Sequence, residues 1–272
     1  MGVEVNGPSP NGCIIGGSAA YSAITARNLG WQACAITSVG KDFNQQNPVL
    51  DQINVTYHCS LETTIFDNQY DQYGKRHQMI LGIGDKLQPS HIPIELQDTG
   101  IVYLCPIADE VDPELVLCFK HSLIGVTPQG WMRQWGSGRQ VRPKRWDTAE
   151  MILSHTDILV LSDEDILANP KDLDKYIQWT KIVVLTRGKN GAILYENGQV
   201  IESSSYSVKE VDPTGAGDVF AAAFLINYHD TGSSVSALNF AHCVASFAVE
   251  GRGLTAIPTL KQVENRIRPQ KT

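Results

Sequence analysis

Four stretches of this chain are apolar without alternation: Ile101 to Ile107, Ser122 to Val126, Asp157 to Leu161 and Lys181 to Thr186. A strand with one face in water alternates apolar and polar residues; a strand that does not alternate must be covered on both faces. Helix candidates fall between these runs, most clearly Asp147 to Ser154 and Pro170 to Trp179. Strands of this kind separated by helices predict a mostly parallel central sheet with helical layers on both sides, an α/β/α arrangement. Further on, Ala192 to Tyr195 and Gln199 to Ser203 flank Asn197-Gly198, a strong hairpin signal. Thr214 to Tyr228 and Ser234 to Glu250 read as helices apolar nearly all round, hence buried, and Thr259 to Ile267 as a closing amphipathic helix.

Nearer the N-terminus, Ser18 to Leu29 has helical spacing and Gly30 stops it, while Ala33 to Val39 reads as a strand. Thr63 to Tyr70 and Lys75 to Leu81, joined by Asp71 to Gly74, predict a second hairpin. Without repeats or a linker-like stretch, the expectation is one domain over 1–272 with a small β lid formed largely by 60–82.

At 272 residues the chain can bury a large core. Its net charge of −7 argues against a nucleic-acid surface, which needs clustered cations on phosphates. No apolar run approaches the roughly 20 residues that cross a bilayer, and Met1 to Asn11 lacks a signal-peptide pattern. The expectation is a cytoplasmic protein, monomer or homodimer, with no membrane or nucleic-acid partner. Six cysteines are scattered, and Cys34, Cys105, Cys118 and Cys243 lie in apolar segments. They read as reduced core thiols rather than as zinc ligands.

The chemistry is carried by Val211-Asp212-Pro213-Thr214-Gly215-Ala216-Gly217-Asp218, which runs straight into an apolar helix. Thr214 is a good N-cap, and three small residues then leave the first-turn amides open. Open amides at a helix N-terminus bind anions. Asp218, about one turn in, would repel a bound phosphate. It makes sense as a base for the nucleophile that attacks the group held there. The plainer alternative is a capped helix packed through its glycines, but each Gly weakens a helix by roughly 1 kcal/mol against Ala.

Asp212-Pro213-Thr214-Gly215-Ala216-Gly217-Asp218 resembles the signature of the ribokinase-like (PfkB) carbohydrate kinases, Asp-Thr-x-Gly-Ala-Gly-Asp. The resemblance extends to Gly16-Gly17 with Ser18 to Ala23, to Val39-Gly40-Lys41-Asp42, to Thr186-Arg187-Gly188-Lys189-Asn190-Gly191 and to the helix around Phe240 to Ala245. It implies a ribokinase-like fold and an ATP- and Mg2+-dependent kinase acting on a hydroxyl of a small sugar, polyol or nucleoside. Asp218 would be the general base, with the amides of Gly215, Ala216 and Gly217 around the transferring phosphoryl group. Thr186, Gly188, Gly191, Asp212, His242 and Ser162 would lie along the nucleotide, with His242 by the adenine. Gly16, Gly17, Tyr21, Asn68 and Gln129 would face the acceptor. Ser162 and Asp165 would stand for the family's Asn-x-x-Glu, which works through magnesium and its waters; otherwise Ser162 to Asp165 is simply an acidic helix start. By spacing alone, Gly16-Gly17 and Thr186 to Gly188 are ordinary turns and His242 a core histidine.

The sequence departs from the family in three places. No Asp occurs among the fifteen residues before Gly16, so a grip on substrate hydroxyls is missing. Tyr21 replaces an Asn, and Thr127-Pro128-Gln129-Gly130-Trp131 replaces Asp-x-Asn-x-Arg. A stretch from Trp131 to Trp146 carries five cations and no acid, apart from its tryptophans. It reads as a surface loop anchored by those tryptophans, or else as a basic rim to a cleft; binding of single-stranded nucleic acid is a third reading. Asp85, the Pro89 to Pro93 stretch and the 63–78 flap are similar to the myo-inositol kinases of the family. The rival from another class is a degenerate kinase fold that binds a metabolite and acts through a partner. A dinucleotide dehydrogenase needs Gly-x-Gly-x-x-Gly, and a P-loop NTPase Gly-x-x-x-x-Gly-Lys-Ser/Thr; neither is present.

Overall fold

The computed structural model describes residues 2–5, 13–46, 48–70 and 76–267. In chain order it opens with β1 (Gly2–Val5), β2 (Cys13–Gly16), α1 (Ser18–Asn28), β3 (Cys34–Val39), β4 (Asn54–Cys59), β5 (Thr64–Tyr70) and β6 (Arg76–Gly82). Then follow β7 (Ile101–Leu104), β8 (Leu123–Val126), β9 (Arg133–Gln134), β10 (Arg142–Pro143), α2 (Ala149–Leu153), β11 (Ile158–Ser162), α3 (Asp163–Ile166) and α4 (Asp172–Trp179). The rest is β12 (Ile182–Thr186), β13 (Ala192–Glu196), β14 (Gln199–Ser203), α5 (Ala216–Thr231), α6 (Ser234–Ala248) and α7 (Leu260–Ile267).

The central sheet has the order β14-β13-β12-β11-β8-β7. Strands β7, β8, β11 and β12 are parallel, and the β13–β14 hairpin adds antiparallel at one edge. Its two faces show why these strands do not alternate. Ile158, Val160, Ile182 and Val184 enter one core with α1, α5 and α6. Leu159, Leu161, Val183 and Leu185 enter a second core with α2 and α4. Every side chain of this pleat is therefore taken out of water, each contributing roughly 1.5–3 kcal/mol. The fold is three-layered, with a core on each face of the sheet. Helix α5 buries eight consecutive residues, Val219 to Ile226, as expected of a helix apolar all round. The β13–β14 turn is made at Asn197 (φ 50°) and Gly198 (φ 76°), the left-handed pair that a two-residue hairpin requires.

A second sheet, β2-β1-β5-β6, stands beside the first. Strand β1 pairs antiparallel with β2 and parallel with β5, so residues before Gly17 form two strands. The antiparallel β5–β6 hairpin forms as predicted, and its turn at 71–75 lies outside the described residues. Strand β4, parallel to β3, has no counterpart in the sequence reading, because Asn54 to Cys59 is only half-buried and carries no apolar run.

Two expectations need correction. Between β7 and β8 the chain makes a 3₁₀ helix, Pro113–Cys118, rather than an α-helix. Of the apolar-segment cysteines only Cys243 is buried; Cys34 is exposed, and Cys105 and Cys118 are intermediate. Cys34 is the exposed first residue of a short strand that pairs with β4 outside the main sheet.

Candidate active site

The chain approaches α5 through a turn closed by Asp212, whose Oδ1 accepts from the Thr214 amide at 3.0 Å. The Ala216 amide donates to the Pro213 carbonyl at 3.1 Å. The N-cap is Gly215, in the left-handed conformation at φ 76°, rather than Thr214. Two constraints require glycine there. The backbone is left-handed, and a Cβ would lie 2.3–2.5 Å from the ring of Tyr21. Gly217 differs: a Cβ there would meet nothing within 4 Å. One glycine thus lets the helix tip pack on α1, and the other keeps the tip open. First-turn amides have no acceptor within their own helix and, with the dipole, favour an anion.

These residues line a cavity of about 1,120 Å³. Gly215, Ala216, Gly217 and Asp218 all reach it. The Asp218 carbonyl accepts from Ser22 Oγ at 3.5 Å. Burial, with the Asp218 charge adding to it, raises Tyr103 well above its ordinary value and raises Cys105, so both stay protonated beside the carboxylate.

One wall follows β12. Thr186 Oγ1 donates to the Leu161 carbonyl at 3.2 Å, and the Arg187 amide to that of Gly191 at 2.8 Å. Gly188 and Gly191 have φ 52° and 86°, and a Cβ on Gly191 would sit 1.9 Å from the Ser203 carbonyl oxygen. Thr186, Gly188 and Gly191 all line the cavity, together with Tyr206 and Val208, with His242 and Ala245 on α6, and with Val249 just after it. His242 packs edge-on to Phe220 at 5.1 Å. Burial lowers its pKa to about 4, and its Nε2 is buried with no hydrogen-bond partner among the described residues. A neutral imidazole with an unused nitrogen on an apolar wall suits a heteroaromatic ring.

The acidic run behaves as a helix start. Ser162 N donates to Asp165 Oδ2 at 2.9 Å and Glu164 N to Ser162 Oγ at 3.2 Å, a capping box. Burial raises the Asp165 pKa, opposed by the Ser162 amide, the Arg133 charge and a bond from Gln129. Among the described residues no group of three or more His, Cys, Asp or Glu could hold a metal ion.

The remaining wall comes from the second sheet and the loops after β7 and β8. Gly17, Tyr21 and Gln129 line the cavity; Gly16 and Asn68 do not. Asn68 is buried behind Gln78, whose Nε2 donates to its Oδ1 at 2.7 Å, so it is Gln78 that faces the cavity. Asp212 is likewise off the wall, spent on the turn before α5. Sequence reasoning missed Phe66, Gln78, Thr127 and Arg133 as wall residues. The inward alternation of the hairpin, Phe66 and Gln78, could have found the first two. Arg133 was read as part of the basic stretch. It donates to the Ile107 carbonyl at 3.1 Å and lies 5.4 Å from the Phe66 ring centroid. The rest of that stretch is an anchored loop: Trp131 and Trp146 are buried and stack at 5.5 Å. Arg145 makes a two-pronged contact with Asp172 at 3.0 and 3.1 Å, and Lys144 reaches Asp109 at 3.4 Å.

Residues 137–260 match the model of the pfkB family carbohydrate kinases. A cytidine kinase of Thermococcus kodakarensis is 28% identical over 229 residues, 78% of this chain and 80% of that protein. Among solved structures, a pyrophosphate-dependent kinase in the ribokinase family, complexed with a pyrophosphate analog and myo-inositol, superposes with a TM-score of 0.81. It is 22% identical, over 97% of each chain. The ribokinase of Thermotoga maritima gives a TM-score of 0.78 at 20% identity, over 98% of this chain and 97% of that one. Fold and relatives together define a phosphotransferase with a hydroxyl acceptor. Over residues 137–260 the chain is similar to the pfkB family carbohydrate kinases, and its fold is that of the ribokinase it superposes on.

Proposed function

We propose that this protein transfers the γ-phosphate of ATP to a hydroxyl of a sugar, polyol or nucleoside. The observation that carries the reading is the α5 tip: an open amide turn at Gly217 with the Asp218 carboxylate one residue on, both on the wall of one cavity. The substrate oxygen attacks the γ-phosphorus and its proton passes to Asp218. The bridging oxygen leaves with ADP, keeping the bonding pair. The amides of Gly215 and Gly217 offset charge on the phosphoryl group in flight, where fixed donors need no reorganisation, while the Ala216 amide is held by the Pro213 carbonyl.

Thr186, Gly188, Gly191 and Ser162 flank the triphosphate, and His242 with Ala245 and Val249 takes the base. This apolar end, with its unpartnered imidazole nitrogen, favours a nucleotide over pyrophosphate as donor. Magnesium, when bound, neutralises phosphate charge. Asp165 fits an outer role through water rather than a direct bond, since its carboxylate already serves Ser162, Gln129 and Arg133. Gly17, Tyr21, Gln129 and Gln78 surround the acceptor. The β2-β1-β5-β6 sheet acts as the lid that keeps water from the reaction.

The test measures ADP release with ATP against cytidine, D-ribose and myo-inositol, with pyrophosphate as the competing donor. The wild type should turn over at least one acceptor with ATP. Asp218→Asn should lower kcat at least a thousandfold while nucleotide binding stays within a few-fold. An Asp218→Asn variant with near-wild-type turnover refutes the mechanism. ATP binding without turnover of any acceptor supports instead a degenerate fold that signals through a partner.

A further inference from the structure

Helix α6 carries two adjoining stripes. His242, Ala245 and Ser246, with Val249 just past the helix, recur at helical spacing and all line the cavity. Beside them, Cys243 and Phe247, with Glu250 past the helix, meet α7. Cys243 Sγ donates to the Val263 carbonyl at 3.8 Å. Arg266 on α7 places Cζ 3.4 Å from the Phe247 ring centroid and Nη2 2.7 Å from Glu250 Oε2. Ser246 stands where the two stripes join, and Arg266 Nη1 donates to its Oγ at 2.7 Å. Arg266 is not on the cavity wall, and it lies beyond the residues that match the family model.

The hydrogen-bonding character of Ser246 follows from its partners. Its Oγ donates to the Cys243 carbonyl at 2.7 Å, and a carbonyl only accepts. A guanidinium only donates, so Arg266 takes one lone pair of the hydroxyl oxygen. The other lone pair is what remains for the cavity. To donate there, Ser246 must break its buried bond to Cys243, which cancels the gain. A ligand amino group therefore gains a hydrogen bond from Ser246, and a ligand carbonyl gains none. A base lying on His242, Ala245 and Val249 covers Ser246, which sits between them on the stripe. We infer that Ser246 selects the donor base by accepting a hydrogen bond from its exocyclic amino group, with Arg266 as the positioning residue that holds the hydroxyl. This rests on the nucleotide reading of the cavity and deepens it: adenine is taken in preference to a purine with a carbonyl at that position.

The experiment titrates ATP, inosine triphosphate and purine riboside triphosphate into the protein by calorimetry, with magnesium and without an acceptor. Inosine triphosphate has a carbonyl, and purine riboside triphosphate a hydrogen, where ATP has the amino group. The wild type should bind ATP about 5- to 10-fold more tightly than either, the worth of one neutral hydrogen bond. Ser246→Ala should weaken ATP by that factor and leave the other two within about twofold. Arg266→Met, which keeps an apolar stem over Phe247, should weaken ATP about two- to threefold and spare the others; Arg266→Lys, which keeps a donor, should restore it. A Ser246→Ala or Arg266→Met protein that loses affinity for all three alike overturns the inference, since damaged packing does not distinguish an amino group from a carbonyl. If neither variant folds, the three wild-type affinities decide alone. A wild type that binds none of the three removes the nucleotide reading and this inference with it; one that binds all three equally removes only the latter.

Discussion

The two glycines at the α5 tip should respond to the same substitution with opposite signs. At Gly215 an Ala must hold a left-handed backbone, which costs about 1–2 kcal/mol. Its methyl would also lie 2.3–2.5 Å from the Tyr21 ring. Tyr21 is 3% exposed and has no room to retreat, so overpacking adds about 1–3 kcal/mol. Gly215→Ala should therefore lose about 2–5 kcal/mol in urea unfolding. Gly217 already has helical backbone and open space around its missing Cβ. Replacing glycine by alanine in a helix gains up to about 1 kcal/mol, which for a chain of this size raises Tm by about 1–3 °C. The new methyl, however, points into the space where a phosphate must approach. A displacement of about 1 Å can cost up to a hundredfold in rate, so kcat/KM for ATP should fall at least tenfold in Gly217→Ala. The assays are thermal and urea unfolding of both variants beside steady-state kinetics of Gly217→Ala. A Gly217→Ala protein that is less stable than wild type, or that is more stable and fully active, refutes the assignment of that amide to a ligand.

Other outcomes follow from the same coordinates. His242 titrates near 4 when folded because burial disfavours its charged form, against an ordinary value of 6.5. The unfolded chain takes up that proton first, so His242 stabilises the fold above pH 6.5, and this contribution, about 3 kcal/mol at most, is lost as pH falls through 4. His242→Gln should flatten that slope in urea titrations at pH 4 to 7; an unchanged slope refutes it. Trp146→Ala should cost about 3–5 kcal/mol by equilibrium unfolding, since the indole is buried between Trp131 and Tyr176. A loss under 1 kcal/mol would show that the basic stretch is not anchored there.

The central sheet was legible in the sequence because burial on both faces leaves no polar residue to blur the run, and the Asn197-Gly198 turn because left-handed backbone restricts which residues fit. Strand β4 was not, since a half-buried strand of Asn, Thr, Tyr and His has no periodic signal. The α5 tip was legible as a local motif, yet its cap was misplaced by one residue. Thr214 looks like a capping side chain, but contact with Tyr21, 194 positions earlier in the chain, decides that Gly215 takes the turn. Asn68 and Gln78 are opposed across β5 and β6 and share one face of the sheet, but the longer Gln78 covers Asn68 and reaches the cavity, a difference of reach that strand alternation does not predict.

The second sheet is assembled from segments far apart in sequence, and β2 runs into α1 with only Gly17 between them. Tyr21, one turn along α1, is the residue that presses on Gly215. The strands that cover the cleft and the helix that props the phosphate end are thus consecutive pieces of one polypeptide. On the proposed kinase reading, a tilt of the cover would pull directly on the root of that prop, so closing over an acceptor and tightening around the donor would be geared to each other by covalent connection.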